Sequence, residues 1–118
     1  MDTKEYIIAA VAVVKTAEFL QPTPQNGNIR VGFTHAAILE RNAVSSRKAY
    51  NMEDAKGFLT SRLRFVNRWE AMVIAKGAGQ TDSDGYTLYA DIIDLKTYYE
   101  RYLSECPENA GLLRELEE

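Results

Sequence analysis

The stretch Tyr6-Ile7-Ile8-Ala9-Ala10-Val11-Ala12-Val13-Val14 is the longest uninterrupted apolar run in the chain, and it decides the fold. Its short length and its β-branched residues predict a strand buried on both faces, with a helix as the less favoured alternative. A run of nine residues is less than half of the roughly 20 that a membrane-spanning helix needs. We therefore expect a central strand covered by other elements, and no membrane segment.

The residues after this strand predict an antiparallel hairpin. Two prolines and an Asn-Gly pair lie between residues 21 and 28, which is typical of a turn or loop. A short strand should follow over Ile29 to Gly32. Thr34 is a suitable N-cap for a short helix through about Asn42, with His35 in its first turn.

Further along, the chain predicts a β-turn-β-α unit. Gly57 to Ser61 and Arg64 to Val66 have the composition of two short extended pieces joined by a turn. Asn67 should cap a helix, because Glu70 stands three residues later in a capping-box pattern. The glycines in Gly77-Ala78-Gly79 should end this helix.

The chain length and composition favour one domain. With 118 residues, 46% of them hydrophobic, the chain has enough material for one modest core. After a polar stretch, a second helix is predicted from Asp94 through Leu103, and Pro107 stops it. We expect an α+β fold over residues 1–106, with a small antiparallel sheet and two or three packed helices, followed by a short acidic tail over residues 107–118.

The composition argues against common catalytic and metal sites. The chain has one histidine and one cysteine, whereas zinc sites need several such ligands and a Ser or Cys nucleophile normally needs a histidine base. We expect a binding protein rather than an enzyme, without a metal or cofactor. A lone Cys106 and an acidic N-terminus predict a cytosolic rather than a secreted protein.

The distribution of charge indicates the class of ligand. Residues 41–76 contain eight basic and three acidic side chains, a net charge of +5, whereas the whole chain carries −3 and the remainder therefore −8. A basic middle attracts anions, but acidic flanks repel long polyanions. The pattern favours a small anionic ligand over long nucleic acid.

The segment from Gly57 to Gln80 concentrates the side chains that could bind a nucleotide. Arginine forks suit phosphates and phenylalanine rings suit base stacking. The candidates are Arg62, Arg64, Arg68, Phe58 and Phe65. By composition alone, a hydrophobic β-turn-β-α unit with a charged outer face is the simpler interpretation, because convergence of these residues requires a turn or a second protomer.

Other polar candidates have two interpretations each. His35 could bind an anion at a helix start, or it could be satisfied by packing or by a backbone carbonyl. Asp91 and Asp94 stand three residues apart and could act in acid-base chemistry or metal binding. Capping of a helix start is the simpler role for them.

The same segment resembles a family of small phage and prophage proteins. The matching pattern is Gly57-Phe58-x-Thr60-Ser61-x-x-Arg64-Phe65-Val66-x-Arg68-x-Glu70-Ala71-x-x-Ile74-Ala75-x-x-Ala78-Gly79-Gln80, followed later by Leu88-Tyr89-Ala90-Asp91. It is similar to the Thoeris anti-defence sponges, which sequester cyclic ADP-ribose signals made by bacterial immune enzymes. The similarity covers roughly residues 6 to 95.

The resemblance implies an α/β protomer that forms dimers or hexamers and holds a cyclic nucleotide without cleaving it. Phe58 would stack on the base, Arg64 and Arg68 would meet phosphates, and Glu70 would hold Arg68 or contact a ribose. The implied ligand-binding residues are Phe58, Thr60, Arg64, Phe65, Arg68 and Glu70, with His35 and Asp91 as weaker candidates. The chain departs from the family pattern at Thr34 and at Ala90-Asp91-Ile92, which weakens the ligand assignment.

Three hypotheses follow from the sequence. The leading one is capture of a cyclic nucleotide signal by the Gly57 to Glu70 segment, completed by a second protomer. The second is an inhibitor or regulator that binds a host protein. The third, least favoured, is a nucleotide-acting enzyme with Glu70, Asp91 or His35 as base.

Overall fold

The computed structural model describes residues 4–13, 29–35, 38 and 56–117. The strands are β1 (Ile7–Val13), β2 (Ile29–Gly32), β3 (Lys56–Thr60) and β4 (Phe65–Val66). The helices are α1 (Arg68–Gly77), α2 (Leu95–Glu105) and α3 (Ala110–Glu117), with 3-10 turns at Ala90–Ile92 and Pro107–Asn109.

The described strands form one four-stranded antiparallel sheet in the order β2-β1-β3-β4. The predicted central strand is confirmed, because β1 lies between two neighbours and its residues from Ile7 to Ala12 are all fully buried. The predicted strand at Ile29 to Gly32 is also confirmed, and it pairs with the second half of β1. The loop between them lies outside the described residues.

A β-bulge in β1 changes which residues face which side of the sheet. The register with β3 shifts between Ile7, which opposes Thr60, and Ala9, which opposes Leu59. Ile8 and Ala9 consequently pack into the same core cluster, whereas Ile7 packs into the other. A bulge has this effect because it places two residues of one strand opposite one of its partner.

Helices cover both faces of the sheet, which confirms the α+β prediction. On one face, Met72 and Ala75 of α1 pack with Phe58 and Ala10. On the other face, the buried side chains come from α2 and α3: Tyr99, Tyr102, Leu113 and Leu116. Among the described residues, no helix has both the length and the apolar composition needed to cross a bilayer.

The local signals for the helix ends are confirmed. The Asn67 side chain accepts a hydrogen bond from the Glu70 backbone N–H at 2.8 Å, as the capping pattern predicted. Gly79 has a φ of 73°, the left-handed conformation that closes a helix. Asp94 caps α2 by accepting from both the backbone and the hydroxyl of Thr97.

The C-terminal residues depart from the expected acidic tail. Residues 110–117 form α3, and its Leu113 and Leu116 are buried against the sheet. Only one side of this short segment is apolar, and it packs on β2 within the same chain. Residues 110–117 therefore pack against the domain and contribute two leucines to its core.

Part of the N-terminal prediction lies outside the described residues. The Ile38 N–H donates to the Thr34 carbonyl at 3.3 Å, as expected in the first turn of a helix. The continuation of that helix to Asn42, and the polar stretch through residue 55, fall in residues that the structure does not describe.

Gly57 permits the close approach of β3 and β4, and this generates a stability prediction. A Cβ built on Gly57 would lie 2.3 Å from the Val66 carbonyl oxygen, whereas one on Gly77 would meet nothing within 4 Å. We expect Gly57→Ala to lower the free energy of unfolding by about 1–3 kcal/mol, because two backbones must separate. The matched Gly77→Ala should be neutral or stabilising by up to about 1 kcal/mol.

Urea denaturation of the two variants and the wild type measures this difference. Equal stabilities for Gly57→Ala and Gly77→Ala would contradict the close approach of the strands.

Candidate functional site

Arg64 and Thr60 belong to a hydrogen-bonded network at the β3–β4 turn. Arg64 makes a bidentate contact with Glu5, through Nε to Oε2 at 2.8 Å and Nη2 to Oε1 at 2.7 Å. The fully buried Thr60 hydroxyl also donates to Glu5, and it accepts from the backbone N–H groups of Arg62 and Arg64. Arg64 thus has a carboxylate partner already and anchors the turn.

The Glu5 carboxylate is held in its charged form by this network. Its hydrogen bonds from Arg64 lower its pKa from the ordinary value of 4.5, against the opposing effect of partial burial, and the Thr60 hydrogen bond adds to the lowering. Arg64 itself is half-exposed, so an anionic ligand could reach it only in competition with Glu5.

Phe58 and His35 lie in the core. Phe58 is fully buried, and the His35 ring packs edge-on against it with centroids 5.2 Å apart. The His35 Nε2 lies 2.8 Å from the Gly57 carbonyl oxygen, to which it donates. These contacts match the second interpretation of His35, in which packing and a backbone carbonyl satisfy the side chain.

The burial of Phe58 corrects its expected role. The sequence placed it as the ring that stacks on a base, but no part of the side chain reaches the surface of this protomer. Position 58 pairs with Ala10 of the central strand, so its side chain fills the space under α1. Phe65 is half-buried and packs against the opposite core cluster.

Arg68, the first residue of α1, has a different environment from Arg64. Its guanidinium lies over the ring of Tyr89, 5.2 Å from the centroid. Its Nε is buried and has no hydrogen-bond partner, and it forms no ion pair with any residue that the structure describes. Arg68 is therefore a half-buried cation with unused donors.

The surroundings of Arg68 favour an anion and an aromatic ring. The N-terminus of α1 carries a partial positive charge and directs backbone N–H groups outward. Trp69 is 69% exposed and Tyr89 51% exposed, so both rings are accessible for stacking. The Arg68 carbonyl accepts from the Leu88 N–H at 3.0 Å, which holds Tyr89 beside the helix start.

The predicted acidic residues lie on the surface. Glu70 is exposed in the first turn of α1 and makes no ion pair with Arg68; the other role that the resemblance implied, contact with a ribose, stays a prediction. Asp91 is exposed in the 3-10 turn after Tyr89. Within the described ranges, no group of three or more His, Cys, Asp or Glu side chains is arranged to hold a metal ion.

The eight predicted residues thus occupy several environments rather than one. Thr60 and Arg64 form the turn network, Phe58 and His35 the core, and Arg68 the start of α1. Trp69, Tyr89 and Glu5 were not among the predicted site residues. Tyr89 was part of the quoted family pattern. Its contact with Arg68 joins residues 21 positions apart, however, and local sequence patterns do not reveal such contacts.

Comparison with protein families identifies the group to which the chain belongs. The family described as phage T4 y16D protein matches residues 6–98, which is most of the chain. The chain is a member of the phage T4 y16D protein family. The match includes the four strands of the described residues, α1 and Tyr89, and it confirms the expectation of a small phage protein family. No curated protein and no solved structure gave a significant match.

The turn network of this y16D-family chain generates a pH prediction. Because the folded-state pKa of Glu5 is lowered, its stabilising contribution is present above its ordinary pKa of 4.5 and is lost as the pH falls through the lower folded value. Glu5→Gln should therefore reduce the free energy of unfolding at pH 7. The loss should be modest because Arg64 is half-exposed, and it should shrink as the pH falls below 4.5.

Chemical denaturation between pH 7 and pH 3 measures both effects. Glu115→Gln, at an exposed position on α3, is the control and should change little at any pH. Parallel pH profiles for wild type and Glu5→Gln would contradict the network.

Proposed function

We propose that this protein binds a small anionic nucleotide at the start of α1 and holds it without cleaving it. The observation that carries the proposal is the half-buried Arg68, whose Nε is desolvated without a partner and whose guanidinium lies against Tyr89. A buried donor without an acceptor costs about 1–3 kcal/mol. A phosphate oxygen would satisfy it and add a charge-assisted hydrogen bond.

The aromatic residues beside Arg68 suit the base of such a ligand. Trp69 and Tyr89 expose more than half of their surface, so either can provide the stacking face that the buried Phe58 does not. Glu70, exposed in the same helical turn, can accept hydrogen bonds from ribose hydroxyls. Phosphate, base and sugar would each have a complementary group.

Within this proposal the ligand is a cyclic nucleotide immune signal, such as a cyclic ADP-ribose isomer. Membership of a phage family and the resemblance to Thoeris anti-defence sponges support this choice. The protein would act in the cytoplasm of the infected cell by lowering the free concentration of the signal. Sequestration needs tight binding and no chemistry, which agrees with a site built from one cation and two rings.

Thermal stability with a panel of cyclic ADP-ribose isomers and cyclic di- and trinucleotides tests the proposal. We expect a rise in melting temperature with at least one member, and recovery of that ligand unaltered after the protein is denatured. No rise with any member would refute nucleotide binding. Recovery of a cleaved product would refute sequestration and indicate an enzyme.

Substitution of Arg68 gives the quantitative prediction. Arg68→Ala should weaken binding of the active ligand by about 1–3 kcal/mol, a factor of about 5 to 150, because a charge-assisted contact is lost. Arg101→Ala is the matched control. Arg101 also lies over a tyrosine ring, 4.7 Å from the Tyr6 centroid, but it is already paired with Glu105 at 3.0 Å.

Isothermal titration calorimetry measures both affinities. Equal loss of affinity in the two variants would contradict a specific role for Arg68.

We further propose that a second copy of the chain covers the exposed apolar surface along α1. Trp69 and Val73, one helical turn apart, are 69% and 73% exposed. Residues 85–88 run beside α1, held by the Lys76 contact to the Gly85 carbonyl and the Leu88 contact to Arg68, and they carry the 84% exposed Tyr86. Burial of this surface would exclude water from Arg68 and strengthen its contact with a phosphate.

Introducing a charge at this surface tests the assembly. Val73→Asp should dissociate a dimer or hexamer into monomers of 13.3 kDa, measured by light scattering after size-exclusion chromatography. Ser104→Asp, at an exposed position of α2, is the control and should leave the mass of the assembly unchanged. A monomeric wild type at working concentrations would refute the assembly.

The same surface favours a second candidate function. Exposed aromatic residues are enriched in protein-protein contacts, so a host protein could bind there and be inhibited. This alternative predicts one specific partner in a pull-down, loss of that partner with Val73→Asp, and no thermal shift from any nucleotide.

A further inference from the structure

The two sides of the Arg68 site carry opposite charges. The start of α1 provides the guanidinium and the positive end of the helix dipole. Residues 82–94 form the other side, and they run beside the helix because Lys76 donates to the Gly85 carbonyl at 2.9 Å. The Leu88 N–H donates to the Arg68 carbonyl at 3.0 Å. This segment contains four aspartates, all exposed, and no lysine, arginine or histidine, so the site has one positive and one negative wall.

Asp91 is the carboxylate of the negative wall that lies nearest to Tyr89 in the chain. The Tyr89 carbonyl accepts a backbone hydrogen bond at 3.2 Å from three residues further on, so the chain turns directly after Tyr89 and Asp91 lies within that turn. Asp91 is exposed and forms no ion pair with any residue in the described ranges. Glu70, by contrast, acts on Arg64, whose pKa is raised first by its hydrogen bond with Glu5 and further by the Glu70 charge.

The exposed rings beside Arg68 suit a cation as well as a neutral base. Trp69 is 69% exposed, and indole attracts cations more strongly than the other aromatic side chains do. Tyr89 already has the Arg68 guanidinium over its ring, 5.2 Å from the centroid. A positively charged ring would therefore be stabilised by stacking and by the Asp91 carboxylate, whereas a neutral ring would be stabilised by stacking alone.

We infer that the nucleotide bound at this site carries a positively charged base ring, an inference that rests on the function proposed above. The phosphate binds Arg68, and the base, a purine or pyridine ring with a quaternary nitrogen, stacks on Trp69 and faces Asp91. Such a ligand has one charge for each wall. With a neutral base, the Asp91 carboxylate would be opposed only to the negative phosphate, which is repulsive.

Nicotinamide mononucleotide and its reduced form are matched probes, because reduction converts the cationic ring into a neutral one and leaves the ribose phosphate unchanged. The chain contains one tryptophan, so the single indole N–H signal in two-dimensional NMR of the full chain reports on Trp69. We expect the oxidised form to shift this signal in a saturable manner. The reduced form should bind about tenfold more weakly, a difference of about 1.4 kcal/mol.

Two variants, measured by calorimetry, separate the effect of charge from that of stacking. Asp91→Asn should reduce the preference for the oxidised form from about tenfold to about threefold, because one exposed ionic contact is lost. Trp69→Leu should weaken both forms and the oxidised form more. Glu115→Gln, at an exposed position on α3, is the control and should change neither affinity. The melting temperature of the unliganded Asp91→Asn protein should equal that of the wild type, because Asp91 is exposed.

Equal affinities of the two forms, or no shift with the oxidised form up to about 10 mM, would overturn the inference. Equal affinities that both fall in Arg68→Ala would overturn the charged base alone and leave nucleotide binding at Arg68 in place. No binding of either form, together with no thermal shift from the cyclic nucleotide panel, would overturn both proposals.

Discussion

The Gln80 side chain forms two hydrogen bonds with the backbone of Ile7, and the arrangement of α1 on the sheet depends on them. Its Oε1 accepts from the Ile7 N–H and its Nε2 donates to the Ile7 carbonyl, both at 2.8 Å. The strand β2 pairs only with Ala10 to Val13, so Gln80 takes the place of a strand neighbour at the start of β1. The Gln80 N–H also bonds to the Ala75 carbonyl, which fixes the end of α1 to the same point.

This constraint positions the candidate site at the other end of α1. The C-terminus of the helix is tied to Ile7, and Met72 and Ala75 pack in the core, while its first turn is held at the end of β4, because Asn67 alone separates Val66 from Arg68. Leu88 then bonds to the Arg68 carbonyl and brings Tyr89 beside the guanidinium. The proposed nucleotide site thus consists of surface residues whose backbone is held by buried contacts.

The contacts of Arg64 and Arg68 show that an arginine already paired within the fold is less available to bind a ligand. Arg64 is neutralised by Glu5, which lies just outside the residues that match the y16D family. Arg68 lies against a neutral ring and keeps its charge unpaired among the described residues. A phosphate would bind more favourably to Arg68 than to Arg64, because at Arg68 it would not have to displace a carboxylate.

The sequence alone determined the local structure of this protein. The apolar β1, the strand β2, the turn between β3 and β4, the Asn67 cap and the glycine stop at Gly79 follow from short-range rules, and all are present. These features depend on backbone geometry and capping within a few residues, which a sequence displays directly.

Only the tertiary structure decided which of the candidate residues face solvent. Phe58 and Trp69 are both aromatic residues of the Gly57 to Gln80 segment. Phe58 is fully buried because it lies on the sheet under α1, whereas Trp69 is 69% exposed because its side of α1 does not pack into the core. The contacts of Arg64 with Glu5 and of Arg68 with Tyr89 join positions 59 and 21 residues apart. Such partners are selected by packing of the whole chain, so local patterns cannot reveal them.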